Sequence, residues 1–128
     1  MAKVTGLGGV FFKSKDPAAL AAWYGEHLGL VIDPSFGGTI FKPGELPDGG
    51  YTLWSPFKSD TSYFGDASQS FMINLIVDDV EGALAQVKAG GAEVINEREN
   101  GEFGDFGWFV DPDGNRVELW KPPAGDAS

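Results

Sequence analysis

The 128 residues suffice for one domain and are too few for two ordinary ones, and a chain of this size buries roughly two-thirds of its unfolded surface, enough for a core without covalent staples. The absence of cysteine excludes disulfides, thiolate metal sites and cysteine nucleophiles together, while nineteen acidic against nine basic side chains give a net charge of −10, which repels a phosphate backbone. A single histidine rules out a histidine-rich metal centre within one chain. No apolar run approaches the roughly 20 residues of a membrane-spanning helix, and the segment Met1–Gly6 lacks the apolar core of a signal peptide, so the cytoplasm is the expected compartment. Ten phenylalanines and four tryptophans are more than a core this small usually takes, a hint that some rings line a cavity.

In chain order, Gly8–Phe12 reads as a strand by its β-branched and aromatic content. Asp16 at the N-cap and Pro17 at the first helical position then open a helix. Its apolar face is Leu20, Trp23, Tyr24 and Leu28, and Gly29 stops it. Leu30–Ile32 returns as a strand. Thr39–Lys42 and Tyr51–Trp54 are two more, joined by the Gly/Pro-rich stretch from Pro43 to Gly50. A segment rich in Ser, Asp and Gly follows.

The second half repeats this order. Phe71–Val77 is a strand, Asp79 caps a helix reaching Lys88 with Val80, Ala83, Leu84 and Val87 inward, Gly90 and Gly91 end it, and Ala92–Ile95 is a strand. Phe106–Val110 and Arg116–Trp120 flank Asp111-Pro112-Asp113-Gly114-Asn115, a hairpin turn by its proline and glycine. Asp79 follows Asp16 by 63 residues (79 − 16), and Ile95 follows Ile32 by the same interval. The chain therefore reads as one strand-helix-strand-strand-strand unit written twice: module one about 5–55, a linker at 56–70, module two about 71–122 within a single domain 1–128.

That doubled βαβββ unit opens on Gly8-Gly9-Val10-Phe11-Phe12, Asp16-Pro17, Trp23-Tyr24 and His27-Leu28-Gly29, and closes on Phe109-Val-Asp-Pro-Asp-Gly-Asn-Arg-Val-Glu118-Leu119. It resembles the vicinal oxygen chelate superfamily of glyoxalases, bleomycin-resistance proteins and extradiol dioxygenases, over about Leu7 to Pro122. The resemblance implies an α+β fold in which two tandem modules curl mixed sheets into an open barrel around a cavity, usually as a homodimer. It also implies a divalent metal with ligands on the first and last strand of each module. Those positions fall on Gly9, Thr52, Met72 and Glu118. Glycine has no side chain, methionine is too soft and a threonine hydroxyl is weak, so Glu118 alone offers an anionic oxygen. A catalytic zinc normally has three protein ligands, and the expectation is a metal-independent member with no cofactor. The alternative is a glyoxalase-like lyase or dioxygenase holding one divalent ion through Glu118 and residues not identified.

Strand alternation sets the neighbours of these positions on the cavity side. Phe11 joins Gly9, Trp54 joins Thr52, Asn74 joins Met72, and Arg116 and Trp120 join Glu118. Pairing across the Asp111–Asn115 turn sets Trp108 opposite Glu118 and Phe106 opposite Trp120. An apolar wall with few polar groups is the makeup of a small-molecule pocket. Val10, Phe12, Ile73, Leu75, Val77, Val117 and Leu119 fall on the opposite face, under the helices. Glu118 is open to three readings: a polar handle for ligand, a catalytic base in a desolvated setting, or the partner of Arg116 in a strand-edge ion pair. His27 suits the carboxyl end of its helix, with Trp23 one turn earlier able to pack on it. Trp54, Trp108 and Trp120 are either core or cavity wall, and their shared face favours the wall. Tyr63 and Phe64 in the polar linker are either a lid or a dimer contact. The Glu97–Glu102 run reads as a solvated hairpin tip, and Gly6–Gly9 opens a strand, which argues against a phosphate loop.

The function expected is small-molecule binding by a dimer, with no nucleic-acid or membrane partner. The acidic chain favours a cationic guest through long-range steering. A third reading is an interaction module whose cavity is filled by its own side chains.

Overall fold

The structure is a computed structural model that describes residues 9–52, 54–66 and 68–123. Gly6–Gly8 of the first expected strand and Leu53 of another lie outside these residues. Helix α1 spans Pro17–Leu28. It begins where the Asp16 carboxylate accepts the Ala19 backbone N–H at 3.1 Å, and it ends at Gly29, whose φ of 72° is the left-handed cap a Cβ would strain. Strand β1, Ile73–Ile76, leads into α2, Val80–Ala89, capped in the same way by Asp79, which accepts the Gly82 N–H at 3.0 Å. Strands β2 (Glu93–Gly101), β3 (Gly104–Val110) and β4 (Arg116–Lys121) follow as an antiparallel meander.

These four strands form one mixed sheet in the order β1-β4-β3-β2, with β1 parallel to β4. Alternation along β3 and β4 divides it into two faces. Phe109, Val117 and Leu119 point under α2 and are essentially sealed from solvent, and Val80, Ala83, Leu84 and Val87 close on them. Leu20 and Tyr24 of α1 join that core, with Leu75 and Val77 packed at its margin. The opposite face carries Asn74, Phe106, Trp108, Glu118 and Trp120. The face under the helices thus carries Phe109, Val117 and Leu119, while Asn74 and Glu118 lie among aromatic rings on the other.

Helix α2 sits so close to β3 that Gly107 has no room for a side chain: a Cβ there would lie 2.9 Å from both Leu84 Cδ1 and Val80 Cγ1. Both neighbours are buried, so neither has space to retreat. Gly107→Ala is expected to cost about 1–3 kcal/mol by overpacking, seen as a lower urea midpoint at unchanged m-value. A variant as stable as the wild type would mean that α2 is not seated on this glycine.

His27 is used structurally. Trp23 packs on its ring at 5.2 Å, its carbonyl accepts the Gln86 side chain at 2.9 Å, and the ring fills the space a side chain at Gly90 would need. The imidazole is thereby a wedge between the ends of α1 and α2.

The first half departs from the expected second sheet. Among the described residues, Val10–Phe12, Leu30–Ile32, Thr39–Lys42 and Tyr51–Trp54 form no ladder. The pairing present there is one bridge between Asp33 and Gly38, followed by a single 3-10 turn at Pro43–Glu45. The sheet is accordingly open and is not closed into a barrel. Pro34, Pro43 and Pro47 lack the N–H a ladder needs, and Phe36, Ile40 and Phe41 between them face outward, as do Val10 and Phe12, which were expected to pack under the helices. The Glu97–Glu102 run, expected as a solvated hairpin tip, is exposed throughout but reaches the tip only at its end: β2 continues to Gly101, past an irregularity between Val94 and Arg98, and the turn lies between Gly101 and Gly104. Charged residues suit this strand because it is the outer edge of the sheet.

Candidate functional site

The centre of the open face is Glu118, only 7% exposed, on a strand with neighbours on both sides. Register brings each neighbour to it. Parallel pairing aligns Asn74 with Glu118, and antiparallel pairing aligns Trp108 with it from the other side. Asn74 Nδ2 donates to Oε1 at 2.6 Å and Trp108 Nε1 donates to Oε2 at 3.0 Å. A third donor, the Tyr63 hydroxyl, reaches Oε2 from the linker. Two carboxylate oxygens therefore accept three neutral donors, and among the described residues no cation pairs with them. The strand-edge ion pair with Arg116 is not formed; among the described residues the arginine–carboxylate bridge is Arg98 to Asp105, bidentate at 2.8 Å.

Tyr63 was legible only as a ring out of place in a polar stretch. Its position follows from local turns: Gly65 N–H donates to Ser62 O at 3.1 Å, and Ser68 donates through both N–H and hydroxyl to Asp66 at 2.8 Å. Those donors hold the Asp66 carboxyl below the usual aspartate range. At the linker's end, Gln69 bonds the first residue of β4 in both directions, accepting from Arg116 N–H at 2.7 Å and donating to Arg116 O at 2.9 Å. So anchored, the linker lays Tyr63 edge-on to Trp108 at 6.0 Å, with Phe57 stacked on Tyr63 at 5.6 Å and touching Phe64 at 5.1 Å. Burial, the hydrogen bond to Glu118 and the charges of Glu118 and Glu99 push the Tyr63 phenol well above its ordinary value, so it stays a donor through the neutral range.

A groove of about 630 Å³ opens beside this cluster, lined by Ser62, Tyr63, Glu97, Arg98, Glu99, Trp108 and Arg116. The Arg116 guanidinium lies 5.7 Å from the centre of the Trp108 ring, within cation–π range. On the same face Phe106 stacks on Trp120 at 6.3 Å, and Trp120 Nε1 donates to the Phe103 carbonyl at 2.7 Å. Asn74, Trp108, Arg116 and Glu118 are thus gathered, with Phe106 and Trp120 alongside. Phe11 and Trp54 are not: they are 97% and 80% exposed, and Thr52 is exposed with them. Met72 precedes β1 and is half-buried, off the strand that carries Asn74. These departures share one cause, the missing ladder of the first half.

The donor set does not fit a divalent ion. Both Glu118 oxygens face N–H and O–H groups, and an indole N–H cannot ligate. Thr52 lies at the surface and Gly9 has no side chain. Among the described residues no three histidine or carboxylate side chains are grouped closely enough to hold a metal, and none of the helices among them is long and apolar enough to cross a membrane. What the arrangement offers chemically is a fixed acceptor under aromatic cover, with a cation at the rim.

The family model of the glyoxalase-like domain matches residues 9–120. An integron cassette protein from the mobile metagenome of V. cholerae is 19% identical, with 94% of this chain and 98% of that chain covered, at a TM-score of 0.55. A protein from the mobile metagenome of V. pseudocholerae is 22% identical, with 94% and 97% covered, at 0.51. An antibiotic-binding protein from Streptomyces sp. CB03234 is 22% identical, with 86% and 89% covered, at 0.48. At these identities the likeness is one of fold. No curated protein sequence matches the chain.

Proposed function

The chain belongs to the glyoxalase-like domain family, and from that premise we propose that it binds a planar small molecule in the groove beside Tyr63 and Trp108, without a metal ion. The observation that carries this reading is the state of Glu118. In a metal site this carboxylate would turn its oxygens to the ion; here both are engaged by neutral donors, two on Oε2 and one on Oε1. Glu118 then acts by holding Trp108 and Tyr63 in place as walls, and the walls supply the apolar contact. A groove of about 630 Å³ is of the size that takes a small organic molecule.

The proposal includes the assembly. The matching caps of α1 and α2, each an aspartate accepting an N–H three residues on, support a twofold repeat of the βαβββ unit. The exposed Val10, Phe11, Ile40, Phe41 and Trp54 are an apolar surface of the kind a second copy covers. A homodimer completing the first module is the arrangement we propose.

Metal independence is tested by purification without chelator, elemental analysis, and titration of intrinsic tryptophan fluorescence with planar aromatic compounds before and after EDTA. The expected result is metal far below one ion per chain and quenching isotherms that EDTA leaves unchanged. Stoichiometric nickel, zinc, manganese or iron, with binding lost to EDTA and restored by the ion, would establish the metal-dependent lyase or dioxygenase reading instead.

A further inference from the structure

We infer that the ligand of this groove presents a hydrogen-bond acceptor group, most effectively a carboxylate, to Arg116. The inference rests on the binding reading above and names the class of molecule bound.

The argument compares the charged groups at the groove by what each still lacks. Both oxygens of Glu118 already accept hydrogen bonds, from Tyr63, Asn74 and Trp108. Arg98 is charge-paired with the Asp105 carboxylate, and its Nε donates to the Phe106 carbonyl. Glu97 and Glu99 also line the groove, but they are exposed and water serves them. Arg116 differs. It makes no ion pair among the described residues, and its Nε is cut off from solvent without a hydrogen-bond partner. A buried donor left unpaired is costly, and the cost is removed when an acceptor arrives.

The surroundings of Arg116 select the acceptor's shape. Its guanidinium lies by the Trp108 ring on one side, and the Gly65 backbone of the Ser62–Asp66 turn rests beside its side chain on the other. A guanidinium held this way offers its planar edge, where Nε and a terminal nitrogen donate in parallel to the two oxygens of a carboxylate. With the acceptor at Arg116, the ligand's ring system continues over Tyr63 and Trp108, which line the same groove. The net charge of −10 favours a cationic guest only during long-range encounter. Complementarity at contact is set by the group that has no partner, and that group is a cation.

Three naphthalene probes of like shape test this: 2-naphthoate, neutral 2-naphthamide and 2-naphthylmethylammonium, titrated by tryptophan fluorescence at neutral pH and constant salt. The wild type is expected to bind naphthoate roughly tenfold or more tighter than naphthamide, the gain of a charge-assisted pair, and the ammonium probe weakest. In Arg116→Met the naphthoate preference should vanish, naphthoate losing much more affinity than naphthamide, whose neutral carbonyl is the weaker acceptor. Arg116→Lys, which keeps the charge without the fork, should fall between. Far-UV circular dichroism confirms that each variant is folded. Equal binding of all three probes, a preference for the ammonium, or a naphthoate preference that survives in Arg116→Met overturns the inference and leaves the binding reading standing. Failure of every probe to bind the folded wild type counts against the binding reading and overturns the inference with it.

Discussion

Glu118→Leu should destabilise the protein by about 2–4 kcal/mol, although leucine is the more apolar occupant of a buried strand position. The reason lies in what is left behind. Trp108 Nε1 is buried and loses its acceptor outright, while Asn74 and the Tyr63 hydroxyl lose theirs at partly open positions. Glu118→Gln should cost less, about 1–2 kcal/mol, since the amide oxygen still serves the two donors on Oε2. Its NH2 group then meets the NH2 of Asn74, donor against donor. Urea unfolding followed by tryptophan fluorescence distinguishes these outcomes. If the loss comes from orphaned donors, Trp108→Phe in the Glu118→Leu background should recover part of it, a coupling that only a double-mutant cycle reveals. A Glu118→Leu variant of wild-type stability would show that the three donors are served by water and that Glu118 does not hold the walls.

A second large loss is expected at Asp111, which is 5% exposed on the hairpin between β3 and β4. Its carboxylate accepts from the Asp113 and Asn115 backbone N–H groups at 3.0 and 2.9 Å, from the Asn115 side chain at 3.2 Å, and from the Tyr24 hydroxyl of α1 at 2.9 Å. One side chain thus shapes the turn and fastens it to the helix layer. Asp111→Ala strands all four donors, and we expect a loss of about 3 kcal/mol or more. Tyr24→Phe should cost about 1–2 kcal/mol and should also change the response to alkali. Burial, the Asp111 charge and the hydrogen bond push the Tyr24 phenol far above its usual value of 10.0, so it stays protonated when folded. The unfolded chain releases that proton once the pH passes about 10, and from there it binds fewer protons than the native state. Stability contributed by Tyr24 is therefore complete below that pH and falls as the pH rises further. A urea midpoint followed from about pH 8 to about 11 should decline more steeply for the wild type than for Tyr24→Phe. Parallel curves would show that Tyr24 titrates freely.

The sequence disclosed the parts of this architecture that depend on near neighbours. Asp16, Pro17 and Gly29 bound α1 because capping is a local matter, and α2 follows from Asp79 and its apolar face in the same way. The turn at Asp111–Asn115 fixed the register of β3 against β4, and hence Trp108 opposite Glu118 and Phe106 opposite Trp120. What was not legible depends on distant residues. Gln69 bonding to Arg116, and Tyr63 to Glu118, join positions 47 and 55 residues apart from within a stretch that has no periodicity. Most of the Glu97–Glu102 run is strand and only its end is hairpin tip, because charge suits an edge strand as well as a loop. Phe11, Thr52 and Trp54 were assigned to the cavity by alternation, which tells which residues share a face only after a strand has found its neighbours.

The Gln69 side chain presents one donor and one acceptor to the main chain of Arg116, the same pair a peptide unit presents to its neighbour in a ladder. An amide at the tip of a side chain thereby imitates a strand residue at no commitment of backbone. From that fixed point back to the phenol of Tyr63 the tether has a set length. Added or deleted residues ahead of Phe57 leave this span untouched, whereas a single insertion inside it would carry the ring off the carboxylate and leave the cover misaligned with the floor beneath it.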